Sequence, residues 1–171
     1  MIKDIIKLSV FLTIACAIAA AALSITYVTT SERIAVQKKA EVNSAISNDC
    51  LPGCINIKEV KDHYEGFDKN GKKIGYAFRV SPQGYGGAID MAVGIDIQGR
   101  VLGIKIISMK ETPGLGSKAS EPSFLAQFTG KTSISPLKAK KDIDAITGAT
   151  ITSQAVSNGV REALKRFRQI L

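Results

Sequence analysis

Residues 89–108 read IDMAVGIDIQGRVLGIKIIS, and their periodicity decides the fold class. Ile89, Met91, Val93, Ile95 and Ile97 alternate with Asp90, Ala92, Gly94 and Asp96, the period-two pattern of a half-buried strand. Gln98-Gly99-Arg100 supplies a turn, and Val101 to Ser108 returns as a second strand. Upstream, Ile74, Tyr76, Phe78 and Val80 repeat the alternation. The segments predict an antiparallel meander with a hairpin at Gly99. Ahead of the hairpin, Gly84, Gly86 and Gly87 suit either a turn or a close approach of ligand to backbone.

Downstream, Glu111-Thr112-Pro113-Gly114-Leu115-Gly116 cannot be helical through Pro113, and its glycines admit close approach. Ser120 to Phe128 predicts a short helix with Pro122 in its first turn. The Lys138 to Lys141 cluster reads as a solvated loop. Residues 142–153, DIDAITGATITS, lead into a final helix. Its Val156, Val160, Ala163, Leu164, Phe167 and Leu171 fall on one stripe, with Arg161, Lys165 and Arg168 mostly outside it. Thr152 or Ser153 is a natural N-cap for that helix. Unpaired N–H groups and the macrodipole favour a phosphate at a helix start, and the hydroxyls beside Gly148 would complete such a cradle. A plain capped helix after a turn fits the same residues.

The N-terminus sets the compartment. Leu8 to Thr30 runs 23 residues without a charge, LSVFLTIACAIAAAALSITYVTT. A hydrocarbon core needs about 20 apolar residues in a helix, so the segment is long enough to span. A cleavable signal peptide competes, because Lys3 and Lys7 precede the run and AIAAAALS offers small residues. The run continues through Ile25, Tyr27 and Val28, longer than such h-regions, which favours an uncleaved anchor. Thr13 sits where a lipobox wants Leu, so Cys16 reads as a thiol within the helix. Lys3 and Lys7 on one side face Arg33, Lys38 and Lys39 on the other, so charge does not set orientation. The seven-residue tail and the long C-terminal domain place the domain outside the cytoplasm. The expected division is a cytoplasmic tail (1–7), a transmembrane helix (8–30), a helical stalk with a Cys-containing turn (31–60) and a domain (61–171).

In the stalk, Ile34, Ala35, Val42, Ala45 and Ile46 recur at helical spacing, and the helix ends near Asn48. Cys50-Leu51-Pro52-Gly53-Cys54 is turn-forming, with thiols near enough to pair; in an oxidising compartment a short disulfide is the ordinary reading, and a catalytic redox pair is the alternative. His63 is the only histidine, and Cys-x-x-Cys-His is absent, which leaves c-type haem and classical zinc sites without support. The same composition has no Ser-His-Asp pattern. The chain of 171 residues has 23 basic against 15 acidic side chains, a net +8, with 45% hydrophobic residues. The basic excess is scattered and not interleaved with aromatics, which argues against nucleic acid and for a membrane surface or a phosphate-bearing cofactor.

Thr147-Gly148-Ala149-Thr150, followed by Ile151-Thr152, is similar to the S/T-G-A-T motif of covalent FMN-binding domains. Gly84-Tyr85-Gly86-Gly87-Ala88-Ile89 and Glu111 to Gly116 resemble the corresponding stretches of the G subunit of Rnf-type ion-translocating electron-transport complexes. Order, spacing and the single anchor fit along the whole chain. The resemblance implies an α+β fold: an N-terminal transmembrane helix, then an antiparallel-sheet FMN-binding domain with flanking helices. It implies FMN joined by a flavin transferase through its phosphate to Thr150, with Thr152 the next candidate. Thr147, Gly148 and Ala149 would shape the phosphate loop, and Glu111, Thr112, Gly114, Leu115 and Gly116 would border the flavin. Asp144 would help the transferase recognise its target, Lys118 would contact phosphate or ribityl, and Tyr85 would stack on the ring. In that family the protein relays electrons within a membrane complex that couples electron flow between ferredoxin and NAD to Na⁺ or H⁺ movement. Its partners would be the other members of the complex, the transferase and membrane lipid, and no independent catalytic constellation is needed. The C subunit of Na⁺-translocating NADH:quinone oxidoreductase shares the flavin motif and is the nearest alternative; an anchored module holding FMN or another phosphate ligand non-covalently is another.

Overall fold

The computed structural model describes residues 2–170, apart from the side chains of residues 2, 32, 35, 38 and 41. The chain forms two compact units, residues 1–40 and 41–171. One helix, α1 (Ile2–Ala45), holds residues 2–40 of the first unit and residues 41–45 of the second. Within it, Lys3–Ser31 has a mean hydropathy of 2.4 with none of its apolar window buried. A helix this long and apolar on every side matches a lipid environment. Hydroxyls inside it fold back onto the helix: Thr26 donates to the Ala22 carbonyl and Thr13 to that of Ser9.

The second unit is built on a five-stranded antiparallel sheet in sequence order: β1 (Asn56–Val60), β2 (His63–Phe67), β3 (Lys73–Val80), β4 (Asp90–Asp96) and β5 (Val101–Ser108). The β4–β5 hairpin turns where expected, with Gly99 at φ 84°. Asp96 fixes it, accepting the N–H groups of Gln98 and Arg100 at 2.9 and 2.8 Å and the Arg100 Nε at 2.8 Å.

Strands β1 and β2 lie in or beside the stretch read from sequence as stalk and turn, and the compact unit starts at Glu41, ahead of the expected boundary at 61. β1 is a short, mostly exposed edge strand carrying Lys58 and Glu59, so no apolar alternation marks it. Gly66 of β2 leaves room for Leu51, whose Cδ1 would lie 2.6 Å from an added Cβ.

Both faces of the sheet are covered. Phe78, Met91, Val93, Ile95, Val101 and Ile104 pack beneath the last helix, α3 (Thr150–Ile170), through Val156, Val160, Leu164 and Phe167. Burying each such side chain stabilises by about 1.5–3 kcal/mol. Leu171, expected on the same stripe, lies outside the described residues. The opposite face meets Val42 near the end of α1 and, beyond it, a π-helical turn, Ile46–Cys50. The alternation of β4 therefore does not mark a solvent face. Ala92 and Gly94 are small because the π-turn lies on them: a Cβ at Gly94 would overlap the Cys50 carbonyl.

Cys50 and Cys54 are free, not bridged. Cys50 Sγ points into the sheet and donates to the Ala92 carbonyl at 3.4 Å, whereas Cys54 Sγ donates to the Asn56 carbonyl at 3.2 Å. The predicted helix at 120–128 is a relay of three short pieces: a 3-10 turn (Gly116–Ser120), α2 (Pro122–Leu125) with Pro122 in its first turn, and a second 3-10 turn (Ala126–Phe128). Phe124 and Phe128 anchor it edge to face, with centroids 5.6 Å apart.

Candidate functional site

α3 begins earlier than a cap at Thr152 or Ser153 would allow. Gly148 takes φ 78°, a left-handed turn that suits glycine, and the Ala149 N–H donates to the Ile146 carbonyl at 2.9 Å. Thr150 is then the first helical residue. Ser153, fully buried, sits inside the first turn and binds inward: its hydroxyl donates to the Ala149 carbonyl at 2.9 Å and accepts the Ile146 N–H at 3.0 Å. It fastens the turn to the helix instead of capping it. Thr152 is also buried, at 1% exposure, and donates to Glu111 Oε2 at 2.7 Å. Thr150 alone of these three is exposed.

The approach to this turn is ordered as well. Leu137 and Lys140 adopt φ 48° and 64° in a segment held by Asp142, which accepts the N–H groups of Leu137 and Lys138 at 3.0 and 2.7 Å and lies 3.5 Å from Lys131 Nζ. Burial alone would raise the Asp142 carboxyl, but those N–H groups and Lys131 together hold it below the ordinary aspartate range. The Ala139 N–H donates to Gln154 Oε1 at 3.0 Å, which ties the segment to α3. The lysine cluster thus belongs to a structured loop.

Beside the start of α3 lies a cleft of about 500 Å³, lined by Tyr85, Glu111, Thr112, Leu115, Gly116 and residues 148–152. Sites for small organic ligands span about 300–1,000 Å³. Nine of the twelve residues singled out from sequence therefore meet in one place: Tyr85, Glu111, Thr112, Leu115, Gly116, Gly148, Ala149, Thr150 and Thr152. Thr147, Gly114 and Lys118 do not line it; all three are exposed. Ile151, not singled out, does line it. Nothing in its sequence context marks it beyond its place between two threonines. Tyr85, Leu115 and Ile151 are 72%, 45% and 57% exposed, an apolar rim open to solvent beside a polar helix start. An uncovered rim of this kind suits a flat ring system. Among the described residues no group of His, Cys, Asp and Glu could hold a metal ion.

Residues 84–165, which contain all of this cleft, match the FMN-binding domain family. The G subunit of the proton-translocating ferredoxin:NAD(+) oxidoreductase complex of Clostridium ljungdahlii is 37% identical, the match spanning 97% of this chain and 96% of that protein. The G subunit of the Na(+)-translocating ferredoxin:NAD(+) oxidoreductase complex of Acetobacterium woodii is 33% identical over 98% and 94%. The chain belongs to this G-subunit family. Its fold recurs in solved structures: Shewanella oneidensis NqrC, with a TM-score of 0.51 at 19% identity over 69% of each chain, and the C subunit of the Na(+)-translocating NADH-quinone reductase of Parabacteroides distasonis, with a TM-score of 0.51 at 24% identity over 63% and 60%. The full-length matches to the G-subunit relatives favour the Rnf-type reading over the quinone reductase protein, whose likeness is one of fold.

The residues fit the flavin that the family implies. A phosphoryl group at Thr150 would lie at the N-terminus of a 21-residue helix, where the first N–H groups have no partner within the helix. A Cβ at Gly148 would come within 3.2 Å of Leu115 Cδ2, so glycine here keeps this turn against the 111–116 loop.

Proposed function

We propose that this chain is the membrane-anchored flavoprotein of an Rnf-type ion-translocating ferredoxin:NAD oxidoreductase complex, with FMN attached by a phosphoester to Thr150 Oγ1. Membership of the G-subunit family and the FMN-binding domain support the electron-relay role. The observation that carries the attachment is the position of Thr150: an exposed hydroxyl on the first residue of α3, on the rim of the cleft, two residues past a left-handed glycine. Thr152 is a poorer acceptor, since its hydroxyl is buried and already bound to Glu111.

Bound FMN supplies the electron-accepting ring; the chain supplies the rest. The helix start neutralises the phosphoryl charge with backbone N–H groups and the positive end of the macrodipole. Tyr85, Leu115 and Ile151 offer apolar contacts to the ring and keep water from its faces. Ester attachment prevents loss of the flavin without altering the ring that carries electrons. No side chain is asked to abstract a proton or attack a substrate, in keeping with the absence of a Ser-His-Asp pattern. Thr150 is a substrate of a flavin transferase, and Asp144, exposed just upstream with its N–H bound to Gln127 Oε1 at 2.7 Å, is open to that enzyme.

The protein spans the membrane once, through Lys3–Ser31. We assign the flavin domain to the extracytoplasmic side, with lipid around α1 and the other members of the complex as partners. The decisive test is coexpression of the intact chain with a flavin transferase. A mass increase of one FMN moiety on the tryptic peptide containing Thr150, and in-gel flavin fluorescence after denaturation, are expected. Thr150→Val is expected to abolish both. Label that survives on Thr152 would place the attachment elsewhere, and flavin that washes out on denaturation would mean a non-covalent site.

A further inference from the structure

Glu111 is where the walls of the cleft converge. The residue is 8% exposed. Its Oε1 accepts the Gly86 N–H at 3.1 Å, from the segment carrying Tyr85, and its Oε2 accepts the Thr152 hydroxyl at 2.7 Å, from the first turn of α3. Its own backbone leads the 112–116 loop. Glycines make room around it: a Cβ at Gly84 would overlap Oε1, and one at Gly116 would lie 2.7 Å from Oε2 and 2.8 Å from the Glu111 Cβ. A Cβ at Gly86 would overlap the carbonyl of Lys110, the residue just before it. The glutamate side chain thus accounts for Gly84 and Gly116, in two separate loops, and its backbone neighbour for Gly86. The one carboxyl group thus holds hydrogen bonds to two walls of the cleft at once.

From this convergence we infer that Glu111 is the positioning residue of the site: it staples the Tyr85 segment, the 112–116 loop and the start of α3 into one cleft, and places a negative charge against whatever occupies it. For a flavin, such a charge disfavours the uptake of electrons and lowers the midpoint potential. The electrostatic half rests on the flavin reading above; the staple does not.

The test uses the full-length chain with Glu111→Ala and Glu111→Gln. Glutamine keeps the volume and both contacts, its oxygen accepting from Gly86 and its amide donating to the Thr152 hydroxyl oxygen, and so separates geometry from charge. In Glu111→Ala the Gly86 amide is expected to exchange hydrogen about tenfold faster or more, while amides of β4 stay protected. In Glu111→Gln its exchange stays near wild type, and the midpoint potential of the flavinylated fraction moves in the positive direction. Unchanged Gly86 exchange in a folded Glu111→Ala overturns the staple, and an unchanged potential in Glu111→Gln overturns the electrostatic role. If the alanine variant does not fold, Glu111→Asp, one methylene too short to reach both partners, is expected to give the same faster exchange, and its absence counts equally against the staple. A wild-type chain that takes up no flavin defeats the proposed function, and the exchange measurements still decide the staple.

Discussion

Thr150 and Thr152 are chemically identical and two positions apart, yet the fold gives them opposite surroundings. One is exposed at the helix start; the other is 1% exposed with its proton committed to Glu111. The spacing of hydroxyls around Gly148 was legible in the sequence, but the helix start was not. Ser and Thr are the usual caps, and here a glycine turn and an inward-facing Ser153 replace the cap. The thiols show the same limit. Four residues of separation suggested a pair, but a side chain's direction depends on the packing beneath it, and Cys50 turns into the sheet. Burial, with Asp49 adding to it, pushes the Cys50 thiol up to about 12. The thiolate is the reactive form, so at pH 8 on the order of one Cys50 in ten thousand is reactive. Iodoacetamide at that pH is expected to leave Cys50 unmodified in the folded chain and to label it readily once urea unfolds it. Peptide mass mapping checks this, and rapid native labelling of Cys50 would contradict the buried position.

Among the elements, the β4–β5 hairpin was read from its alternation with both strand ends nearly right, because its apolar residues repeat with period two and Gly99 marks the turn. The alternation does not tell what covers the second face. That face is closed by the π-turn at Ile46–Cys50, which approaches the sheet where Gly94 of β4 pairs with Gly103 of β5. Added Cβ atoms would overlap the Cys50 carbonyl at Gly94 and the Asp49 carbonyl at Gly103. Backbone cannot swing aside as a side chain does, so Gly94→Ala or Gly103→Ala is expected to destabilise the domain by about 1–3 kcal/mol through overpacking. Urea unfolding of the two variants beside the wild type measures it. Alanine at Gly53, where no atom lies within 4 Å but φ is 84°, separates backbone strain from overlap and is expected to cost less. Equal losses at Gly53 and Gly94 would mean that the π-turn does not rest on the sheet.

At the scale of the whole molecule, the net +8 does not determine on which side of the membrane the domain lies. Lys3 and Lys7 precede the uncharged run of residues 8–30, and Arg33, Lys38 and Lys39 follow it. The positive-inside bias acts through short flanking loops, and here the two flanks oppose each other. Size bears on the proposal: the flank after the span leads into a folded unit running from Glu41. Long domains translocate largely regardless of charge, which is the argument for the proposed orientation with the domain outside the cytoplasm. A reporter that is active only outside the cytoplasm, such as alkaline phosphatase fused after Leu171, is therefore expected to be active, and a green fluorescent protein fused at the same point dark. Because Arg33, Lys38 and Lys39 oppose export, replacing all three by Gln is expected to leave the phosphatase signal unchanged or raise it. A fluorescent C-terminal fusion with an inactive phosphatase would place the domain in the cytoplasm, and would show that the flank after the span outweighs Lys3 and Lys7.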